Sequence, residues 1–312
     1  MSRLDVCVVG EINPDLIFYG LPAELKPEEE ILADRFRFTL GSSSAIFAHN
    51  LAALGTSVGI ISKIGNDVFG EKCLEWLGET DVDTSRVIAD QGETLTGLTT
   101  ILAQTGHRFI LTYPGTMHEF RFEDVDLDYL FSARHLHLSS FFLHKALRPR
   151  IAELFGEAKK RGLTTSLDPN DDPEGKWGSD LTETLKYVDI FFPNEREAKQ
   201  MTRSDDLSEA VRKLAVRVPI LAVKLGSRGA MVREGDREFH CAAIGVDSID
   251  AVGAGDSFDA GFLQQFLKNA KIEDCLRYGA IVGAYSTTSE GGIEAFRDRE
   301  RLARFLQQQS TS

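Results

Sequence analysis

Short apolar, β-branched runs alternate along the chain with segments whose apolar positions recur at helical spacing. Val6–Gly10, Val58–Ile64, His135–Ser139, Thr164–Asp168, Ile190–Pro193 and Ile220–Leu225 read as strands. Between them, Ser44–Leu54, Glu71–Glu79, Arg150–Arg161, Glu195–Met201, Leu207–Val216 and Ser257–Leu267 carry helical periodicity, and Cys275–Thr288 and Arg299–Gln308 add two C-terminal helices. The alternation predicts an α/β fold with a mostly parallel sheet flanked by helices. Ligands of such sheets bind beyond the carboxyl ends of the strands, where amides of the following helices point outward.

Two stretches break the rhythm. Leu16–Leu40 has strand character at both ends of a polar Pro/Glu centre, and Leu95–Tyr113 reads as two strands joined near Thr105-Gly106. Residues 16–40 and 95–114 are therefore expected to build a small projecting sheet on a single domain spanning 1–312. Such a flap could cover a bound substrate and exclude water from it. An edge extension or a dimer contact accounts for the pattern as well.

Composition narrows the class. With 312 residues, 42% of them hydrophobic and 27% charged, the chain can bury a sizeable core and shows no bias towards disorder. A formal net charge of -13, with no basic stripe to offset it, argues against a nucleic-acid partner. Cys7, Cys73, Cys241 and Cys275 are scattered without metal or redox spacing and are expected to be reduced. There is neither a secretory pattern near Val6 nor an apolar run long enough for a bilayer, so the expected setting is the cytoplasm, away from membranes.

The strongest local signal is Asp250-Ala251-Val252-Gly253-Ala254-Gly255-Asp256-Ser257. Its glycines allow a tight turn into a helix, leaving amides around Gly253 to Asp256 aimed at one point. Phosphoryl transfer needs such donors together with a carboxylate that takes the acceptor's proton, the task that Asp256 is placed for. A helix start with an acidic residue complementing the dipole explains the loop equally well. At Gly10-Glu11-Ile12-Asn13-Pro14-Asp15, an amide and a carboxylate follow the first strand and suit sugar hydroxyls, or form a turn. Gly41-Ser42-Ser43-Ser44 opens a helix with small residues that admit a ligand. Asn194 and Glu197 stand three apart after a strand, either organising phosphate and Mg²⁺ or capping the helix. Lys224, Gly226 and Gly229 offer a path for a nucleotide, or a tight turn before Ala230–Val232.

Taken in order, these segments resemble the ribokinase family of carbohydrate kinases, also called the phosphofructokinase B type, from the first strand to Gly292. The most specific part is the Gly253-Ala254-Gly255-Asp256 loop followed by Ser257-Phe258 and Ala260-Gly261. The resemblance implies a Rossmann-like three-layer sandwich with a β-sheet lid, and ATP-dependent phosphorylation of a hydroxyl on a small molecule. It implies Asp256 as catalytic base, with Gly253, Ala254 and Gly255 forming an anion hole. Asn13, Asp15, Gly41 and Ser42 would line the acceptor site. Asn194 would serve the nucleotide, with Glu197 acting on Mg²⁺ through ordered water. Lys224, Gly226 and Gly229 would border the nucleotide, and Ile281 would lie near adenine. Asp250, Val252 and Gly291 match the positions of a monovalent cation such as K⁺, and a homodimer through the lids is expected.

Departures bear on the acceptor. Ser42 stands where a second glycine is usual, Ile46 replaces a sugar-binding asparagine, and Val252 replaces a frequent threonine. Tyr113–Met117 lacks an arginine often found near there in ketodeoxygluconate kinases, and Ser139–Leu143 supplies no cations for a phosphorylated sugar. A neutral sugar carrying a primary alcohol is therefore the expected acceptor. Phe141 and Phe142 suit either core packing or stacking on a nucleobase, which keeps a nucleoside kinase as the alternative. His135 and His137 read as packed or exposed rather than metal-bound. The altered acceptor motif also leaves open a sugar-binding regulator without turnover.

Overall fold

The computed structural model describes residues 4–104 and 107–310; the expected turn at Thr105-Gly106 lies outside them. The strands are β1 (Val6–Val9), β2 (Pro14–Tyr19), β3 (Arg35–Leu40), β4 (Val58–Gly65), β5 (Asp83–Asp90), β6 (Leu98–Gln104), β7 (His107–Tyr113), β8 (His135–Leu138), β9 (Thr164–Leu167), β10 (Ile190–Phe191), β11 (Ile220–Lys224), β12 (Ala230–Glu234) and β13 (Arg237–Cys241). The helices are α1 (Ser43–Ala53), α2 (Val68–Gly78), α3 (Leu127–Phe131), α4 (Ile151–Lys160), α5 (Ser179–Thr184), α6 (Glu195–Thr202), α7 (Leu207–Ala215), α8 (Ala254–Leu267), α9 (Ile272–Ser286), α10 (Glu294–Arg297) and α11 (Arg299–Ser310).

Nine strands form one sheet in the order β13-β12-β11-β10-β9-β8-β1-β4-β5, antiparallel only at the β11-β12 and β12-β13 pairs. Every residue of β1 is buried because both faces are covered. Val6 and Val8 face a layer containing Phe47, Trp76, Phe258 and Leu276, while Cys7 and Val9 face another containing Leu154, Phe155, Val211 and Leu214. On α4 the apolar residues Ile151, Leu154, Phe155 and Ala158 are all buried at helical spacing. Each large side chain among them contributes about 1.5–3 kcal/mol on leaving water.

His135 and His137 are fully buried and bonded to hydroxyls, at 2.7 Å to Ser166 for both and 2.8 Å to Ser139 for His137. The His137 ring stacks on Phe47 at 3.7 Å, so these residues are packed. Of the two readings of Phe141 and Phe142, the structure takes core packing: they lie in the core, against Trp177 and beneath the Arg148 guanidinium. Burial of both rings gains more than an exposed platform would.

The second sheet, β3-β2-β6-β7, comprises the two expected irregular segments. β2 runs antiparallel to β3 and parallel to β6, which pairs antiparallel with β7. Ile17 and Ile101 pack on Val252 of the body. Phe36, Phe109, Leu111 and Tyr113, on the opposite face, are more than half exposed. Polar contacts also join sheet and body. The Tyr19 hydroxyl donates to Asp250 at 2.6 Å, Arg35 pairs with Glu290 at 2.8 Å, and Thr39 donates to Glu294 at 2.8 Å.

Candidate active site

The carboxyl ends of β9 and β11 and the first turn of α8 are joined through Lys224, which reaches Asp168 and Asp259, and the segment after β1 lies beside them through Glu11, Ser140 and Asn170. Gly253 caps α8 at φ 72, and a Cβ there would come within 2.6 Å of Gly292 Cα, so the turn requires glycine. One expected donor is withdrawn: the Ala254 amide bonds to the Ala251 carbonyl at 3.3 Å. The amides of Gly253, Gly255 and Asp256 have no acceptor among the described residues, as amides at a helix start lack intrahelical partners. They are the groups of this loop that can receive an anion.

Asp256 is 9% exposed in the first turn of α8. Burial first, and the Asp168 charge next, push its carboxyl up to about 7, against the pull of Lys224 and a hydrogen bond from Ser43. A carboxylate with that affinity for a proton is suited to accept one from an alcohol near neutral pH. Lys224, expected along the nucleotide, turns its ammonium inward to Asp168 at 2.6 Å and Asp259 at 3.2 Å. Burial opposes its charge, but Asp168, Asp259 and Glu197 hold it protonated. Neither Asp168 nor Asp259 stood out in the sequence. The available signal was position: Asp168 ends a strand at the ligand-binding edge, and Asp259 follows Asp256 by one helical turn.

Asn194 and Glu197 form a capping box on α6, with the Glu197 amide donating to Asn194 Oδ1 and the Asn194 amide donating to Glu197 Oε2, both at 2.9 Å. Glu197 is 4% exposed, and burial followed by Asp168 pushes its carboxyl up to about 7. Four buried carboxylates, of Asp168, Glu197, Asp256 and Asp259, thus share the half-buried ammonium of Lys224. That excess of negative charge fits a divalent cation arriving with phosphate. Among the described residues no three His, Cys, Asp or Glu converge as a self-sufficient metal site, so phosphate and water would complete the ion's shell.

On the acceptor side, Asn13 and Asp15 are buried where β1 passes into the lid, and Asn13 Nδ2 lies 3.3 Å from Thr99 Oγ1. Burial, then the charge of Asp256, pushes the Asp15 carboxyl up to about 8. Gly41 makes room for it, because a Cβ there would lie 2.0 Å from Asp15 Oδ1. Ser42 adopts φ 58 and ψ 139, its hydroxyl donating to the Glu11 carbonyl at 2.9 Å and capping the Ala45 amide at 3.2 Å. Glu11 went unremarked in the sequence. Its buried carboxylate accepts from Ser44 Oγ at 2.7 Å, Ser140 Oγ at 2.8 Å and His144 Nε2 at 3.0 Å. Burial raises its proton affinity, but the His144 and Ser44 bonds outweigh that and hold the carboxyl below its ordinary value.

The remaining positions are peripheral. Gly226 and Gly229, at φ 60 and φ 93, form a tight turn closed by the Leu225 amide on the Gly229 carbonyl at 2.8 Å. Ile281 is buried on α9. Asp250 receives the amides of Val252 and Gly291 at 3.0 Å each, besides the Tyr19 hydroxyl.

A helix N-terminus that offers free amides beside a buried carboxylate, at the switch edge of a parallel sheet and under a second sheet, is the arrangement of a phosphotransferase. Residues 3–299 match the pfkB family carbohydrate kinase model, and the chain belongs to that family. It is an ATP-dependent kinase of the ribokinase fold. An uncharacterized sugar kinase of Archaeoglobus fulgidus is 32% identical over 259 residues, covering 81% of this chain and 98% of its own. The 2-dehydro-3-deoxygluconokinase of Bacillus subtilis is 29% identical, with 87% and 88% covered. Arabidopsis thaliana ribokinase, solved with ribose and ATP, superimposes with a TM-score of 0.83 at 25% identity, covering 98% of this chain and 99% of that one. No helix among the described residues is long and apolar enough to cross a membrane.

Proposed function

We propose that the chain transfers the γ-phosphoryl group of ATP to a primary hydroxyl of a small, non-phosphorylated sugar. The observation that carries this reading is Asp256, a buried carboxylate beside the unpaired amides of Gly255 and itself. Asn13 and Asp15 orient the acceptor, and Asp256 takes the hydroxyl proton as the oxygen attacks. The Gly255 and Asp256 amides stabilise charge on the migrating group. Mg²⁺, when bound near Glu197 through water, neutralises phosphate charge. Asn194, Gly226, Gly229 and Ile281 border the nucleotide. The small sheet closes over the acceptor and excludes water.

Finer points follow from the same reading. A K⁺ ion beside Asp250 would use carbonyls of Val252 and Gly291 and share the carboxylate with Tyr19. The apolar outer face of the lid, with Phe36, Phe109 and Leu111 exposed, suits pairing with the lid of a second copy. A cytoplasmic setting supplies the ATP.

Acceptor-dependent ADP release across a panel of neutral sugars, sugar acids, sugar phosphates and nucleosides tests the substrate class. A response confined to nucleosides would replace the sugar reading, and tight acceptor binding without ADP from any member would favour a regulator. Asp256→Asn should lower kcat by on the order of 10²–10⁴, the range of general-base catalysis. Full turnover by that variant would remove Asp256 from the role.

A further inference from the structure

A turn built on glycine has more backbone freedom than any other, so the loop that opens α8 depends on its neighbours to stay aimed. One neighbour is α1. Its Asn50 is fully buried, and the side-chain nitrogen donates to Ser257 Oγ and to the Gly292 carbonyl, at 3.0 Å each. Ser257 passes its own proton to the Gly253 carbonyl at 2.7 Å. Donor inventory fixes the direction of this chain: a carbonyl only accepts, so the nitrogen faces Gly292, and Asn50 Oδ1 accepts from His49 Nδ1 at 2.8 Å. One helical turn earlier on the same face, Ile46 packs under both glycines. A Cβ on Gly253 would lie 3.1 Å from Ile46 Cγ2, and one on Gly292 would lie 2.5 Å from Ile46 Cδ1. The two backbones touch, since the Gly253 Cβ would also fall 2.6 Å from Gly292 Cα. Asp250 joins the same two segments through the amides of Val252 and Gly291, and Asn50 joins them through Ser257 and Gly292.

We propose that Asn50 is a positioning residue for phosphoryl transfer, holding the Gly253 turn against Gly292 through Ser257 so that the unpaired amides of Gly253, Gly255 and Asp256 stay aimed at the migrating group. With no exposed surface, Asn50 acts only through these neighbours. Donors of this kind are effective because they need not move as charge develops, so their aim has to be set in advance. A displacement of about 1 Å, caused from outside the chemistry, can lower the rate on the order of 10²-fold. This role rests on the reading of the Gly253 turn as the phosphate site and adds what holds that turn in place.

The test is steady-state turnover of MgATP with the acceptor giving the highest rate in the panel above. The unaltered protein, Asn50→Ala, Ser257→Ala and the double variant are compared, each well below its melting temperature. Asn50→Ala should lower kcat by about 10–100-fold with both KM values within about twofold, the pattern of an interaction made only in the transition state. Ser257→Ala removes a single hydroxyl, should lower kcat about tenfold, and carries the test alone if Asn50→Ala does not fold. Because both residues act through one chain of bonds, the double variant should fall within about threefold of Asn50→Ala. A raised KM for either substrate at constant kcat, or the full product of the two single effects in the double variant, overturns the proposal. Hydrogen exchange gives a readout without turnover. The amides of Ser257 and Gly291, bonded to the Gly253 carbonyl and to Asp250, should lose protection together in Asn50→Ala while β1 and α4 keep theirs. Unmoved kcat with that protection lost would mean that Asn50 holds the turn but the turn does not serve transfer, a failure of the underlying reading. Unmoved kcat with protection kept would be a failure of the clamp itself, and either result overturns the proposal.

Discussion

Ser42 occupies a backbone conformation that glycine adopts freely and side-chain-bearing residues resist, φ 58 with ψ 139. Residues held in such sparsely populated regions cost about 1–3 kcal/mol each. Its hydroxyl returns part of that by capping α1 and donating to Glu11, contacts of about 1 kcal/mol apiece. Ser42→Ala loses the hydroxyl and keeps the strain. Ser42→Gly loses the same hydroxyl and releases the strain, against about 0.4–1 kcal/mol of extra unfolded-state entropy. The difference between the two variants thus isolates the backbone term. Ser42→Gly should be the more stable by up to about 2.6 kcal/mol, read as a difference in urea midpoint at constant slope. An alanine variant clearly more stable than the glycine variant would refute the positive φ, and with it the geometry by which β3 hands the chain to α1.

Gly41→Ala should displace Asp15, since the new methyl would fall 2.0 Å from its Oδ1, and raise the acceptor KM at least tenfold while the KM for ATP holds; steady-state kinetics with each substrate varied checks this. Gly229→Ala combines φ 93 with a contact of 2.0 Å to the Cys241 carbonyl, so a loss of about 2–4 kcal/mol is expected in equilibrium unfolding. Asp256 binds its proton more tightly folded, at about 7, than unfolded, at 3.8. Its contribution to stability is therefore full below the unfolded value and falls as pH rises towards 7. Asp256→Asn should accordingly raise the melting temperature at pH 8, with the gain fading towards pH 4; a gain independent of pH would contradict the burial of that carboxyl.

Much of this site was legible because its chemistry follows strand ends. The glycines of the α8 turn, the Asn194/Glu197 spacing and Asp15 each follow a local rule of turns, caps or hydrogen-bonding inventory. Asp168, Asp259, Asn170 and Glu11 follow no local rule, since their importance lies in which distant groups meet across the sheet. The helices were read well where an apolar stripe faces the core, as on α4. β5 was not, because DTSRVIAD is largely polar and sits at a sheet edge with few buried residues. β13, the opposite edge, escaped for the same reason. Phe141 and Phe142 show the converse limit: an aromatic pair beside a strand end looks available until the fold closes over it.

The knot at Asp250 gathers Tyr19, 231 residues earlier, and the Gly291 amide, 41 residues later. The turn proposed to receive phosphate is thus anchored through Asp250 to a partner, Gly291, that is translated only after α9 is complete. Chains cut short before residue 291 should accordingly hold much of the sheet and none of the catalytic competence.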